Sequence, residues 1–138
     1  MSSTVFEFPV RIYYEDTDAG GVVYHANFLR FMERARTEWL REMGYELDKL
    51  EREHGFVFAV RSTTIDFHKP AYLNDLLSIQ VSIARMRKAS LDINHDVYRD
   101  ETLLCSARIK LAGVAADTFR PRALPFTLDQ GDKIWKQL

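Results

Sequence analysis

From Phe6 to Glu15 the chain alternates: Phe6, Phe8, Val10, Ile12 and Tyr14 share one parity, while Glu7, Arg11, Tyr13 and Glu15 take the other. A period of two puts successive side chains on opposite faces, so this segment reads as a half-buried strand. Pro9 cannot donate to a ladder, which assigns the strand to a sheet edge or a bulge. From Phe28 the period lengthens. Phe28, Met32, Ala35, Trp39 and Met43, joined by Phe31 and Leu40, recur at helical spacing and predict an amphipathic helix of about five turns. Asn27 precedes it as the expected N-cap, and Gly44 follows as a stop. LDKLEREHG then reads as a short helix or turn.

At Phe56 the period returns to two. FVFAVRSTTIDF predicts a strand, ended by the proline, asparagine and aspartate of HKPAYLND. LLSIQVSIARM alternates Leu77, Ile79, Val81 and Ile83 against Ser78, Gln80 and Ser82, and SLDINHDVYR alternates Leu91, Ile93, His95 and Val97 against Asp92, Asn94 and Asp96. After the turn RDET, LLCSARIKLAGVAA places Leu103, Cys105, Ala107, Ile109 and Leu111 on one face. RPRALP reads as a loop and FTLDQGDKIWKQL as a terminal helix. A strand, a long helix and four strands in series joined by short turns predict an antiparallel sheet of about five strands with the helix on one face, an α+β fold. The polar strand faces, rich in Ser, Thr and Asn, suit either solvent or an oligomer contact.

The chain's 138 residues fit one domain, taken here as residues 1–138. Its 19 Lys and Arg against 20 Asp and Glu leave a net charge of -1, so no general attraction to nucleic acid or anionic membrane is expected, and any basic site must come from local clustering. MSSTVFEFPVRIYY has no basic stretch followed by an apolar run, and no segment approaches the roughly 18 apolar residues of a membrane span. Cys105 is the one cysteine, which excludes an internal disulfide and points to a reducing compartment, the cytoplasm.

The chemistry concentrates in YYEDTDAGGVVYHANFLRFMERARTEWL, Tyr13 to Leu40. Gly20 and Gly21 allow the backbone positive φ and close approach to a ligand. The following helix offers unsatisfied N–H groups and the positive end of its dipole, able to polarise a carbonyl. Asp18 is a carboxylate suited to attack that carbonyl or deprotonate a water. The same residues would also serve simply as a turn that caps a helix. A calcium loop is excluded: Gly20 occupies a ligand place, and Asn27 stands where a closing glutamate belongs. His25, at the helix start, is either a second acid–base group or a group that orients the loop. Glu33 and Glu38 fall among Arg34, Arg36 and Arg41 at ion-pair spacing. His68 and His95 stand alone, with no metal-ligand spacing, and Cys105 reads as buried packing, so no Ser–His–Asp or Cys–His set is expected.

That 28-residue stretch resembles the signature of the 4-hydroxybenzoyl-CoA thioesterase family of hotdog-fold proteins, and more narrowly the Tol–Pal-associated acyl-CoA thioesterase subgroup. FPVRIYYEDTD, FVFAVRSTTIDFHKPAYLNDLL and RPRALP are similar as well, so the resemblance covers nearly the whole chain. It implies a sheet wrapped around one long central helix and hydrolysis of an acyl-CoA thioester without a metal or redox cofactor. Asp18 falls on the family's catalytic carboxylate, as nucleophile or as base. Tyr14 and His25 fall on motif positions that shape the pocket or orient groups. The backbone N–H groups of Tyr24 and His25 would bind the carbonyl oxygen, with Gly20 and Gly21 against the substrate. Coenzyme A carries phosphates, so a basic rim is expected, from Arg85, Arg87 and Lys88 or from Arg120 and Arg122, with Ser90 lining the site. Family assembly implies dimers whose sheets join, paired into a homotetramer with sites at subunit contacts. Two other functions fit the fold: a non-catalytic partner of acyl carrier protein or the cell envelope, and a hydratase or dehydratase. The latter enzymes pair a histidine with an acid elsewhere in the fold, whereas this chain has the T-D loop. Phe28, Phe31, Tyr14 and Phe67 suit either an acyl pocket or a core, and leave the acyl length open.

Overall fold

The computed structural model describes residues 5–128 and 134–136. Five strands form one antiparallel sheet in the order β1 (Phe6–Arg11), β3 (Leu76–Met86), β4 (Ser90–Arg99), β5 (Thr102–Ala115), β2 (Phe56–Phe67). Pro9 lies in β1 opposite Ser78, and β1 is an edge strand, as a residue without an N–H requires. The alternation of β1 ends at Ile12, which is fully buried; the chain then turns through a 3-10 segment, Tyr14–Asp16, and Tyr14 is 81% exposed rather than part of the core face. Bulges interrupt the ladders at Val60/Ser62, Ile83/Arg85 and Val97/Tyr98.

Among the described residues the helical layer holds two α-helices where one long central helix was expected. α1 (Asn27–Glu42) buries Phe28, Phe31, Met32, Ala35, Arg36, Trp39 and Leu40. The Phe, Met and Leu side chains among these contribute roughly 1.5–3 kcal/mol each when fully buried. α1 ends in a Schellman arrangement: Gly44, at φ 95, donates to the Arg41 carbonyl at 2.9 Å, and Tyr45 donates to the Leu40 carbonyl at 2.8 Å. α2 (Leu47–His54) packs on β2, while α1 packs on β1 and β3. Asn27 is not the N-cap. It is the first helical residue, after Ala26, and its Nδ2 instead donates to the Asp16 carbonyl at 2.9 Å, tying the helix to the preceding loop.

Where a terminal helix was expected, β6 (Phe126–Leu128) pairs antiparallel with β7 (Ile134–Lys136). Gly131, midway along that stretch, is a poor helix former, and Phe126 is buried with its ring 5.4 Å from that of Tyr45. Residues 129–133, 137 and 138 lie outside the described residues.

Between sheet and α1 sit Ile12, Met32, Ile79, Val81, Ile93 and Val97, all fully buried. Gly113 in β5 permits a close crossing: a Cβ there would lie 2.7 Å from the Arg122 carbonyl oxygen and 2.8 Å from the Phe56 ring. The eleven residues of β3 separate the two ends of the sheet by roughly 34 Å. One pole carries the end of β2, the start of β3 and Arg99. The other carries the β3–β4 hairpin and the start of β2.

Candidate active site

The acidic loop is a closed clip. Asp16 anchors its base: the carbonyl accepts the Tyr24 N–H at 3.0 Å and the carboxylate Oδ2 accepts the Tyr13 N–H at 2.8 Å. Thr17 bridges Val23. Within the clip, Asp18 N–H donates to the Val22 carbonyl at 2.9 Å and Gly21 N–H to the Asp18 carbonyl at 3.0 Å. Gly21 has φ +81, a conformation that a side chain strains. On its far side the clip is fastened to the segment between β2 and β3. Val23 N–H donates to the Ala71 carbonyl at 2.8 Å, and Val22 bridges Tyr72.

Asp18 sits at the tip of this clip, exposed. Its Oδ1 accepts the Gly20 N–H at 2.8 Å, and Oδ2 has no hydrogen bond among the described residues. A carboxylate held by one oxygen and open at the other is oriented yet available. His25, seven residues further on, is exposed, with its ring 4.6 Å from that of Tyr24 and edge-on to Phe67 at 5.9 Å; Phe67 in turn lies 5.9 Å from Phe28. An aromatic cluster therefore joins the helix start to the end of β2. The first turn of α1 carries no acidic side chain, so nothing there offsets the positive end of the dipole.

One expected donor is lost. The Tyr24 N–H is spent on the Asp16 carbonyl, because closing the clip needs that bond. The His25 N–H, which has no acceptor among the described residues, is the remaining donor of the pair.

The two basic clusters, expected separately, meet at the opposite pole. The Gly113 N–H donates to Ala89, the Arg122 N–H to Gly113 and the Leu124 N–H to Lys88, each at 2.8 Å, which gathers Arg87, Lys88, Ser90, Arg120 and Arg122 around one hairpin. Arg87 is paired with Asp92 at 3.4 Å. Arg122 is committed: its Nη1 donates to the His54 carbonyl and its guanidinium lies 5.9 Å from the centre of the Phe56 ring. This patch and Asp18 stand at opposite poles of the same sheet, so a single chain does not bring them together.

A buried polar pair escaped the sequence reading. Arg36 and His95, 8% and 0% exposed, meet at 3.4 Å between Nη1 and Nε2 in the interior under α1. Arg36 does not join an ion pair with Glu38, which pairs with Arg41 at 3.2 Å instead. Its place four residues after Met32 and four before Leu40, on the apolar stripe, was the available signal. Burial, then the Arg36 charge, holds His95 down to about 3, so the imidazole is neutral. Burial pushes the Cys105 thiol up to about 12, which suits packing and not nucleophilic attack. His68 Nε2 lies 3.0 Å from Ser106 Oγ on the opposite face of the sheet from α1.

An exposed, oriented carboxylate on a clip tied to a helix N-terminus, on a five-stranded antiparallel sheet, belongs to a known class. The chain is a member of the Thioesterase-like superfamily, whose family model matches residues 12–132. It is 46% identical over 126 residues to the acyl-CoA thioester hydrolase YbgC of Escherichia coli O6:H1, spanning 91% of this chain and 93% of that one. With the acyl-CoA thioesterase YbgC of Haemophilus influenzae it shares 42% over 125 residues, 91% of this chain and 92% of that one. Among solved structures, the probable thioesterase of Bartonella henselae superposes with a TM-score of 0.83 at 35% identity, covering 88% of this chain and 100% of that one. Among the described residues no helix is long and apolar enough to cross a membrane.

Proposed function

We propose that this protein hydrolyses the thioester of an acyl-CoA to the free acid and CoA. The observation that carries the reading is Asp18, with one oxygen held by Gly20 N–H and the other open, on a clip fastened to the start of α1. In this reading the carbonyl oxygen accepts the His25 N–H at the positive end of the helix dipole, and charge developing on it is stabilised there. Asp18 either attacks the carbonyl carbon, giving an anhydride that water opens, or takes a proton from the water that attacks. In both routes a C–O bond forms, the C–S bond breaks, and the departing thiolate ends as the protonated thiol. A thiolate leaves without strong acid assistance, so the small apparatus suffices. The names of the relatives support the substrate class, and α1 is the helix about which we read the sheet as curling.

The two poles also support a dimeric assembly. β2 is an edge strand of twelve residues, with Val60 and Phe67 exposed by 55% and 48%. An open edge of that length is a template for another strand. A second copy added antiparallel along β2 would bring the basic pole of one protomer toward the Asp18 pole of the other. Arg87, Lys88 and Arg120, with Ser90, then suit the CoA phosphates across the subunit contact, while Arg122 keeps its hold on His54. Two such dimers make the homotetramer. An acyl carrier protein thioester is a second donor that the same site would accept.

Thiol release from a panel of short, long and aromatic acyl-CoAs tests the reading, run beside Asp18→Asn. Hydrolysis by the wild type and a drop of about a thousandfold or more in the variant is the expected result. Equal rates in both proteins would remove Asp18 from the mechanism.

A further inference from the structure

Behind the acidic clip lies the segment 68–75, which joins β2 to β3. Its two ends are tied to the sheet by backbone. His68 N–H and Lys69 N–H donate to the Leu104 carbonyl at 2.8 and 3.1 Å, and at the other end Asn74 N–H donates to the Ile12 carbonyl at 3.0 Å while Ile12 N–H donates to that of Asp75 at 2.9 Å. The middle, residues 70–72, is the part that touches the clip, through the Val23 N–H on the Ala71 carbonyl and the Val22–Tyr72 bridge. Apart from the burial of the small Ala71, among the described residues one side chain from outside the segment hydrogen-bonds that middle.

That side chain is Arg99, the last residue of β4. Its Nη1 donates to Asp75 Oδ2 at 2.8 Å and to the Pro70 carbonyl at 3.1 Å, and its guanidinium lies 5.7 Å from the centre of the Tyr72 ring. The same Asp75 oxygen accepts the Tyr72 N–H at 2.8 Å. The Arg99 and Asp75 side chains are 28% and 20% exposed, so this charge-assisted bond is shielded from much of the solvent that weakens surface pairs. Arg99 thus grips residues 70, 72 and 75 from beneath, and the clip hangs on 71 and 72.

We propose that Arg99 is a positioning residue for Asp18. It sets the 70–72 backbone, which sets Val22 and Val23, whose carbonyl and N–H groups fix the clip; the Val22 carbonyl receives the Asp18 N–H directly. The role rests on the reading of Asp18 given above. Displacement of a catalytic group by about 1 Å is enough for a hundredfold loss of rate, so an indirect hold of this kind has catalytic consequences.

Arg99→Met keeps the stem and removes the charge; Arg99→Lys keeps the charge. Both are made in the full chain and followed by amide hydrogen exchange and by steady-state thioesterase kinetics. In Arg99→Met the Asp18 and Val23 amides exchange about tenfold faster or more, while Ile93 and Ile109 in the sheet interior keep the wild-type rate. The value of kcat falls roughly ten- to a hundredfold with KM changed less than about threefold, and Arg99→Lys lies between. Asp75→Asn reproduces the effect, and the double variant is no worse than either single one. A merely structural arginine would instead speed exchange across the sheet.

Unchanged exchange at Asp18 and Val23 in Arg99→Met overturns the clamp, whatever the activity. Faster exchange there with kcat within about twofold of wild type overturns the positioning role. Exchange requires no turnover. Loosening of the clip in a protein whose Asp18→Asn variant hydrolyses as fast as wild type would therefore overturn the role of Asp18 and leave the Arg99 hold on the clip intact.

Discussion

Acidifying the protein from about pH 7.5 to about pH 5 should destabilise it by about 2 kcal/mol through His95 alone. The imidazole is fully buried, with Arg36 against it and Glu33 acting on Arg36, and it titrates at about 3 in the folded chain against 6.5 when free. Below 6.5 the unfolded chain therefore binds a proton that the folded chain refuses. Stability contributed by neutral His95 is whole above 6.5, falls as pH drops through that value, and goes on falling until about 3. Each pH unit in that window costs about 1.4 kcal/mol, so the 1.5 units between 6.5 and pH 5 give about 2 kcal/mol, or roughly 6 °C in Tm for a domain of this size. Asp96 acts in the opposite direction: burial raises its carboxyl, so acid favours its folded form. Comparison with His95→Gln cancels that and every other shared titration, since glutamine cannot titrate and still offers Arg36 an acceptor. Urea unfolding followed by far-UV circular dichroism at both pH values, at one protein concentration, reads the difference. Wild type should lose about 2 kcal/mol more than His95→Gln. Equal losses would refute the assignment of the acid sensitivity to His95.

Gly113→Ala should lower stability by about 1–3 kcal/mol in urea unfolding, because the new methyl meets backbone at Arg122 and the Phe56 ring at distances no side chain tolerates. Cys105, buried and raised to about 12, should react with a thiol reagent at neutral pH only as fast as the protein opens, so labelling rates should rise steeply near the urea midpoint.

What was legible in the sequence was local. The 3.6 period of Phe28, Met32, Ala35 and Trp39 and the period of two in β3, β4 and the Cys105–Leu111 stretch of β5 each depend on which face of one element meets the core, and that is written in the element itself; Leu103, expected on the same face, gives way to the fully buried Leu104 because the ladder shifts register at Val97/Tyr98. Pro9 announced an edge strand for the same reason. The acidic clip was legible because all its parts lie within a dozen residues. Errors arose where a residue's partner is set by a turn or by the tertiary fold and not by the period of its own element. Tyr14 kept strand parity in sequence but had left the strand. Asn27 looked like a cap because its actual acceptor, the Asp16 carbonyl, is set by a turn. Tyr24 N–H looked free until the clip closed on it. Arg36 offered two carboxylates on its own helix and chose a histidine 59 positions away.

The same distinction explains why the candidate site residues fall at the two ends of the sheet, the division on which the proposed assembly rests. Acid chemistry at a helix start needs residues close in sequence, and the loop from Asp16 to Asn27 supplies them together. A phosphate-binding rim needs only charge, which the β3–β4 hairpin and the 120–122 crossing supply wherever the antiparallel topology leaves them. In this topology that is the far pole, roughly 34 Å along β3. In the assembly proposed above, a two-fold axis at β2 would turn this separation into adjacency, because it would set the far pole of one chain beside the near pole of its neighbour. The proposed function thus ties the open β2 edge to the separation of the candidate residues. If sedimentation shows a monomer at micromolar concentrations that still turns over acyl-CoA with full dependence on Asp18, then the basic pole has no part in binding CoA, and the rim must be sought beside the clip itself.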